Sequence, residues 1–173
     1  MALDRVTGEV ELGGDLGEAA RAGHQRQHPQ LGRAWATAEQ RLLRLAETPW
    51  RLVIDRAARR ASAYRAGRRV RSWRIVVGKP GTPTPRGLYA VYERVRQPGG
   101  SELGPFVLHL TAHSDALQNF GGGPGRVALH GRSGPLLYDP LGSASSHGCI
   151  RMQNPIIRWL AARARPGTPV EIR

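Results

Sequence analysis

The chain contains a single cysteine, and its surroundings favour a nucleophile. Cys149 follows a histidine and a glycine in the segment S-H-G-C-I-R-M (146–152), and His130 lies nineteen residues upstream. A thiol attacks carbonyl carbon as its thiolate, so it needs a basic neighbour near neutral pH. Gly148 allows a sharp turn that leaves N–H groups beside the cysteine bare, as an oxyanion site requires. The segment therefore predicts acyl transfer through a thioester.

Two alternative roles for these residues stay open. A lone cysteine is more often a small buried hydrophobic residue than a nucleophile, although Cys149 stands among polar neighbours rather than in an apolar run. A metal site could use His130, His147 and Cys149 as ligands. No C-x-x-C, H-E-x-x-H or H-x-E pattern accompanies them. Acyl transfer is therefore the favoured prediction, and neither a metal nor a cofactor is expected.

The spacing of these residues resembles the signature of a known enzyme family. Fifteen residues separate His130 from the S-H-G-C segment, and Gly131 follows that histidine. This arrangement is similar to the catalytic motif of the L,D-transpeptidase (YkuD) family. A second segment, G-K-P-G-T-P-T-P-R-G (78–87), resembles a loop that runs beside the catalytic cleft in that family. The resemblance covers roughly residues 50–173 and implies a mainly β, β-sandwich-like fold with a few peripheral helices.

The resemblance implies a two-step reaction on the peptide stems of peptidoglycan. Cys149 would attack the bond between the third, diamino-acid residue and the D-Ala of a tetrapeptide stem, so that D-Ala leaves and a thioester remains. An amine of a neighbouring stem, or water, would then take the acyl group. His130 matches the general base that activates the thiol. Gly131 matches the residue whose carbonyl orients that imidazole.

The remaining residues of the motif also have expected roles. His147 and the N–H groups of Gly148 and Cys149 match the oxyanion-stabilising part of the family site. The residues alone leave open which histidine is the base, because His147 is also within reach of the thiol. Arg151 is a candidate clamp for a substrate carboxylate, with a structural ion pair as the equally open alternative. Ser146 is a further candidate for substrate binding.

Charge divides the chain near residue 48. Residues 1–48 carry six arginines and seven acidic residues, whereas residues 49–173 carry twenty basic and six acidic residues. We expect residues 1–48 to be a poorly ordered segment that ends in a short helix, and residues 49–173 to be the catalytic domain. Such positive charge favours anionic partners. No nucleic-acid-binding motif is present, so an anionic cell envelope fits better.

The route to the envelope is not visible in the sequence. No apolar run approaches the roughly 18 residues of a membrane span. The first thirty residues also lack the basic and then apolar pattern of a signal peptide. Because the family's substrate lies outside the cytoplasmic membrane, the resemblance implies an extracytoplasmic protein. Its export then depends either on a different start of the chain or on another route.

The local pattern predicts mostly short strands with one helix near the end. A helix is expected to begin with Asn154 as its N-cap and Pro155 in its first turn. The long connection at 131–145 is a candidate lid. In the strand at 106–112, alternation turns His109 away from the core. Strands are expected at 51–55, 61–64, 70–77, 88–92, 106–112, 127–130 and 168–172.

Two functions besides transpeptidation stay open. A thiol L,D-carboxypeptidase would share the first step and use water as the acceptor. A non-catalytic, basic domain that binds the envelope would need no nucleophile at all. The resemblance further implies that β-lactams of the carbapenem type acylate Cys149.

Overall fold

The computed structural model describes residues 48–117, residue 119 and residues 123–173. The expected disorder of residues 1–32 and the expected helix at 33–47 lie outside these residues, so the division at residue 48 stays a prediction. Ten strands are described: β1 (Trp50–Asp55), β2 (Arg60–Arg65), β3 (Arg68–Arg74), β4 (Val77–Gly78), β5 (Gly87–Arg96), β6 (Phe106–His113), β7 (Arg126–His130), β8 (Ala144–Ser146), β9 (Ile150–Arg151) and β10 (Pro169–Ile172).

Eight of these strands form one sheet in the order β3-β2-β1-β10-β5-β6-β7-β9, and β4 pairs with β8 in a separate two-stranded sheet. Within the eight-stranded sheet, neighbours are antiparallel except for β1 with β10 and β7 with β9, which are parallel, and β4 and β8 are parallel as well. The register shifts between β2 and β3, between β5 and β6, and between β6 and β7. Such irregularities bend strands and increase their twist.

The bent sheet closes around one hydrophobic core. Leu52 and Ala63 come from one end of the strand order, whereas Leu129 and Ile150 come from the other, and all four belong to the same buried cluster. Residues so far apart in the strand order can share a core only if the sheet curls over. The expected mainly β, sandwich-like fold is therefore confirmed.

A single α-helix, α1 (Asn154–Ala161), packs against β6 and β7 within the described part of the chain. Its apolar positions Ile156, Ile157 and Leu160 are buried, so the helix lies against the sheet through one stripe. A 3-10 helix (Gly134–Leu137) interrupts the connection after β7. Among the residues that the structure describes, no helix is long and apolar enough to cross a membrane.

Two details differ from the predicted strands. The predicted strand at 70–77 divides into β3 and β4, because the chain leaves β2 and pairs next with the motif segment. Val76 and Arg151 exchange two backbone hydrogen bonds of 2.9 and 3.0 Å, and β4 then pairs with β8. Strands β8 and β9 are absent from the prediction, since segments of three and two residues carry no readable periodicity.

Candidate active site

Strand pairing brings the cysteine and the upstream histidine to one face of the sheet. The parallel register of β7 and β9 places Leu129 beside Ile150 and His130 beside Arg151. Leu129 and Ile150 point into the core. Because side chains alternate along a strand, His130 and Cys149 project from the opposite face, which we call the catalytic face. Cys149 directly precedes β9, so the two residues are diagonal neighbours across the β7–β9 pair.

The imidazole of His130 is held by the backbone that follows it. Its Nδ1 lies 2.7 Å from the carbonyl oxygen of Gly131. A carbonyl only accepts, so Nδ1 carries the hydrogen and Nε2 is the basic nitrogen of the neutral ring. Gly131 is packed so tightly that an added Cβ would lie 2.2 Å from Oδ1 of Asn154. The same Oδ1 accepts the N–H of Arg132 at 2.9 Å, which fixes this turn.

Burial keeps His130 neutral near pH 7. The residue is 2% exposed. Burial is the largest influence and lowers the pKa of His130 to about 4. The carbonyls of Gly131 and Leu103 oppose that shift, whereas Arg151 and His109 reinforce it. A neutral imidazole can accept a proton, so the group is in the form that a general base requires.

The thiol is also protonated near neutral pH. Burial raises the pKa of Cys149, and the backbone N–H of Ala128 and the charge of Arg151 offset this shift only in part. Within the described ranges, no hydrogen bond joins the thiol to His130. The resting pair is thus a neutral thiol beside a neutral imidazole, and contacts of this kind often tighten only when substrate is bound.

The motif segment forms a closed turn around Ser146. The Ser146 hydroxyl donates to the carbonyl of Cys149 at 2.6 Å and accepts the N–H of Gly148 at 3.1 Å. Gly148 has a φ of +117°, a conformation that glycine adopts without strain. Ser146 is fully buried and its hydroxyl is part of the turn, while its expected role in substrate binding stays a prediction. The Gly148 N–H is likewise turned towards Ser146, which leaves the Cys149 N–H as the candidate oxyanion donor.

The proline-rich loop at 78–87 supports this turn through two threonines. The hydroxyl of Thr84 donates to the carbonyl of Gly148 at 2.8 Å and accepts the N–H of Gly78 at 2.9 Å. The hydroxyl of Thr82 donates to the carbonyl of Ser146 at 3.3 Å. Pro83 between the threonines and Pro85 after them have a restricted φ and so limit the freedom of the loop. The second motif therefore braces the nucleophile segment.

His147 is exposed and lies on the solvent side of the turn. Nζ of Lys79, the only lysine in the chain, is 3.4 Å from Nε2 of His147. An ammonium group only donates, so Nε2 accepts and the ring hydrogen lies on Nδ1 in the neutral form. A small pocket is lined by both His147 and Cys149.

Arg151 is placed differently from the expected substrate clamp. Its side chain is buried, and its Nη1 forms an ion pair with Oδ2 of Asp139. The Asp139 carbonyl also accepts a hydrogen bond from Arg132. Nε of Arg151 is buried and has no hydrogen-bond partner among the described residues. The geometry thus agrees with the ion-pair alternative, and this pair ties the connection at 131–145 to the catalytic face.

Sequence reasoning missed several residues that build this face. The predicted cap of α1 is Asn154, but Gln153 occupies the N-cap and the Asn154 side chain supports the turn after His130 instead. Nothing in the sequence indicates that Asp139 pairs with Arg151. The alternating pattern of the strand predicts only that His109 points away from the core. The structure shows in addition that His109 lies opposite Ala128 on the catalytic face. Only the two threonines of the proline-rich loop lie in a segment that the sequence had singled out.

The alternative role of these residues is a metal site. Among the residues described, no group of three or more histidine, cysteine, aspartate or glutamate side chains could hold a metal ion. The two motif histidines also differ in their surroundings, since one is buried and the other is exposed beside Lys79.

Comparison with known proteins places the chain among enzymes of one family. The model of the YkuD family, described as the L,D-transpeptidase catalytic domain, matches residues 49–172. A protein of Bacillus licheniformis that carries the name L,D-transpeptidase YkuD is 34% identical over 124 residues, which are 72% of this chain and 66% of that protein. The match thus spans just under two thirds of the relative's length.

Solved structures show the same fold. L,D-transpeptidase 3 from Mycobacterium tuberculosis, in complex with a faropenem-derived adduct, matches with a TM-score of 0.56 and 17% identity, over 72% of this chain and 60% of that one. The L,D-transpeptidase LdtMt1 in complex with imipenem matches with a TM-score of 0.53 and 22% identity, over 72% of this chain and 59% of that one. At these identities the likeness concerns the fold.

Proposed function

The chain belongs to the L,D-transpeptidase catalytic domain family, YkuD, and from this premise we propose that it is an L,D-transpeptidase of peptidoglycan stem peptides. The observation that carries the proposal is the placement of Cys149 and His130 on one face of paired strands, with Nδ1 of His130 on the Gly131 carbonyl. This tautomer leaves Nε2 as the base. The proposed donor is a tetrapeptide stem that ends in D-Ala.

In the first step, Nε2 of His130 takes the thiol proton as the sulfur of Cys149 attacks the carbonyl carbon of the third residue. The C–N bond to D-Ala then breaks, and the protonated imidazole gives its proton to the leaving amine. Because both groups are neutral at rest, the proton moves only when the substrate arrives. Removal of the proton from a thiol of raised pKa is the task that a positioned general base performs.

Negative charge on the attacked carbonyl oxygen needs donors close to Cys149. We assign this role to the backbone N–H of Cys149 and to the imidazole of His147, which lines the same pocket as the thiol. Gly148 contributes the backbone turn rather than a donor, since its N–H is bound to Ser146. Donors that are already fixed by the turn need little reorganisation in the transition state.

Arg151 and Asp139 are positioning residues in this proposal. The buried cation lies beside both His130 and Cys149, where it lowers the pKa of each group. It therefore disfavours a protonated His130 at rest and favours the thiolate that forms during attack. Asp139 holds this cation in place.

In the second step an amine attacks the thioester carbon, the C–S bond breaks, and the proton that the amine loses passes through His130 to the sulfur of Cys149, which leaves a cross-link or another amide. A thiol L,D-carboxypeptidase is the second candidate, because water could attack the same thioester. A non-catalytic envelope-binding domain would not require the neutral base beside the thiol.

Two further properties belong to the proposal. Acylation of Cys149 by β-lactams of the carbapenem type is expected, since related folds have been solved with imipenem and with a faropenem-derived adduct. The proposed substrate places residues 49–173, as the catalytic domain, outside the cytoplasmic membrane at the cell envelope.

The experiment that tests this function is mass spectrometry of purified tetrapeptide stems incubated with the protein. We expect release of D-Ala together with cross-linked or amine-substituted peptides. Cys149→Ala should abolish both products, and Cys149→Ser serves as the closest isostere. Intact tetrapeptide after prolonged incubation with folded protein would refute the proposed function.

A further inference from the structure

A second cavity lies on β1, β2 and β3, at the opposite end of the strand order from β7 and β9. Leu52 and Ala63 point into the core, so alternation turns Val53 and Ser62 to the outer face of the sheet. These outward side chains line a cavity of about 140 Å³, which we call the arginine groove. Its charged lining residues are Arg60, Arg69, Arg173 and Asp55.

The floor of the arginine groove is polar and holds one guanidinium in place. Ser62 on β2 lies opposite Ser72 on β3, and the Ser62 hydroxyl donates to the Ser72 hydroxyl at 3.2 Å. The Ser72 hydroxyl in turn donates to the carbonyl of Ala61 at 3.1 Å. Nη2 of Arg60 donates to the same Ser72 oxygen at 3.4 Å. The Arg60 guanidinium is therefore anchored over the floor of the groove.

The arginine groove carries an excess of positive charge. Arg60, Arg69 and Arg173 are cations, whereas Asp55 is the single carboxylate among its lining residues. Asp55 lies 3.9 Å from Nε of Arg173. No described carboxylate forms an ion pair with Arg60 or Arg69. Guanidinium groups bind phosphate oxygens through charge-assisted hydrogen bonds. Since a water molecule takes up ~30 Å³, the groove has room for the few heavy atoms of a phosphate group.

The positive charge continues beyond the groove along β2 and β3. The register places Arg60 opposite Arg74 and Arg65 opposite Arg68, and like charges in such cross-strand positions repel each other. No arginine of these two strands forms an ion pair within the described part of the chain. All of them are exposed: Arg60, Arg65, Arg68, Arg69, Arg71 and Arg74.

A surface with charges of one sign suits a polymer with charges of the opposite sign only. The peptide stems of the proposed substrate carry ammonium as well as carboxylate groups, whereas a phosphodiester chain carries only negative charges. A nucleic acid would also need aromatic rings on which its bases stack. The guanidinium of Arg51 instead lies over the ring of Tyr64 at 4.8 Å. The guanidinium of Arg65 lies over the ring of Trp50 at 5.8 Å.

We propose that the arginine groove and the arginines of β2 and β3 bind a phosphodiester polymer without aromatic bases, a polyol phosphate chain. One phosphate group enters the groove between Arg60 and Arg69, and its neighbours lie along the other arginines of the two strands. Binding relieves the repulsion between Arg60 and Arg74. The inference does not depend on the proposed reaction, because none of these arginines belongs to the active site. It gives the protein a second function, attachment to an anionic polymer.

The test is a titration of fluorescein-labelled oligo(glycerol phosphate) with the full chain, followed by fluorescence anisotropy at several salt concentrations. The variant Arg60→Gln/Arg69→Gln removes the two arginines of the groove that have no ion pair. Its control is Arg158→Gln/Arg165→Gln, which removes two other exposed arginines that have no ion pair with a described residue. Both double variants lower the net charge equally. Competition by polyglutamate, oligothymidylate and phosphatidylglycerol vesicles distinguishes the classes of anion.

We expect Arg60→Gln/Arg69→Gln to weaken binding at least about tenfold and to lower the slope of log Kd against log salt by about two, one for each lost phosphate contact. The control should weaken binding less than about threefold, as loss of long-range attraction alone does. D-Ala release from soluble tetrapeptide should stay unchanged in both, so the groove and the proposed function are tested in separate assays. Equal weakening by the two double variants would overturn the proposal. So would stronger competition by any of the other three anions than by unlabelled oligo(glycerol phosphate).

Discussion

The two histidines of the motif differ in nearly every physical respect. His130 ends a strand, is buried, and is oriented by a backbone carbonyl at 2.7 Å. His147 lies in a turn, is exposed, and contacts the ammonium of Lys79 at 3.4 Å. One ring therefore has its basic nitrogen fixed on the catalytic face, whereas the other has its Nε2 occupied by a donor. In the proposed mechanism, burial and hydrogen bonding distinguish the general base, His130, from the oxyanion-stabilising residue, His147. Distance along the chain from Cys149 does not.

The largest effect is expected from removing the buried histidine. His130→Ala should lower kcat/KM for D-Ala release by about 10²–10⁴-fold, the usual contribution of a positioned acid–base group. His113→Ala, which removes an exposed strand histidine, is the control and should retain activity. A loss below about tenfold in correctly folded His130→Ala would show that another group accepts the thiol proton.

Removal of the exposed histidine should cost less and leave the thiol almost unaltered. His147→Ala is expected to reduce turnover by about 10²–10³-fold, as loss of one oxyanion donor does. The rate of iodoacetamide alkylation against pH separates the two roles, because alkylation forms no oxyanion. His130→Ala should slow alkylation at neutral pH and His147→Ala should change it little. The opposite pattern would exchange the two assignments.

The burial of His130 also predicts a pH dependence of stability. The unfolded histidine gains a proton below its ordinary pKa of 6.5, whereas folded His130 stays neutral until its pKa of about 4. The unfolded state therefore binds more protons in this window, and the free energy of unfolding falls as the pH drops from 6.5 to 4. The loss is on the order of 3 kcal/mol. The measurement is urea unfolding of wild type and His130→Gln at about pH 7 and about pH 4.5, which gives the change in the free energy of unfolding across most of this pH window.

In that comparison, His130→Gln should show a weaker pH dependence by about this amount, whereas His113→Gln should behave as wild type. Equal slopes in wild type and His130→Gln would mean that the imidazole is not held neutral in the folded protein.

The ion pair behind His130 gives a smaller expected effect. Asp139→Asn removes the partner of buried Arg151 and should lower the free energy of unfolding by about 2 kcal/mol, less than for a fully buried pair because Asp139 is partly exposed. Glu171→Gln breaks only surface pairs of Arg51 and Arg173 and should change stability by less than about 1 kcal/mol. Thermal unfolding that ranks the two variants equally would contradict the positioning role.

The smallest effect is expected from removing the contact between Lys79 and His147. Lys79→Met removes an exposed donor, so turnover should fall by no more than about fivefold. Alkylation of Cys149 should not change, since Lys79 does not contact the thiol. The rate of D-Ala release measures the first effect, and the rate of alkylation by iodoacetamide measures the second. A loss as large as that of His147→Ala would mean that Lys79 itself takes part in the reaction.

The sequence predicts the strands that carry the site residues better than it predicts the residues that hold them in place. Alternation and turn residues locate β7 and the inward side chains Leu108 and Leu110, because their periodicity is local. The ion pair of Arg151 with Asp139 joins residues that are twelve positions apart in the sequence. It forms only because the connecting segment folds back, and no periodic pattern predicts such a fold. The short strands β8 and β9 are set by pairing partners distant in the chain. The site residues are readable through the family motif, whereas the position of His109 opposite Ala128 follows only from the register of β6 and β7.

The covalent role of Cys149 is tested most directly by the intact mass of the protein quenched during turnover with tetrapeptide. If Cys149 is the nucleophile, a fraction of the protein should gain the mass of the tetrapeptide less D-Ala, with the adduct mapped to Cys149. His130→Ala should accumulate this adduct far more slowly, and Cys149→Ala should form none. D-Ala release without any adduct on Cys149, or near-normal turnover by Cys149→Ala, would contradict the central claim that this cysteine is the nucleophile.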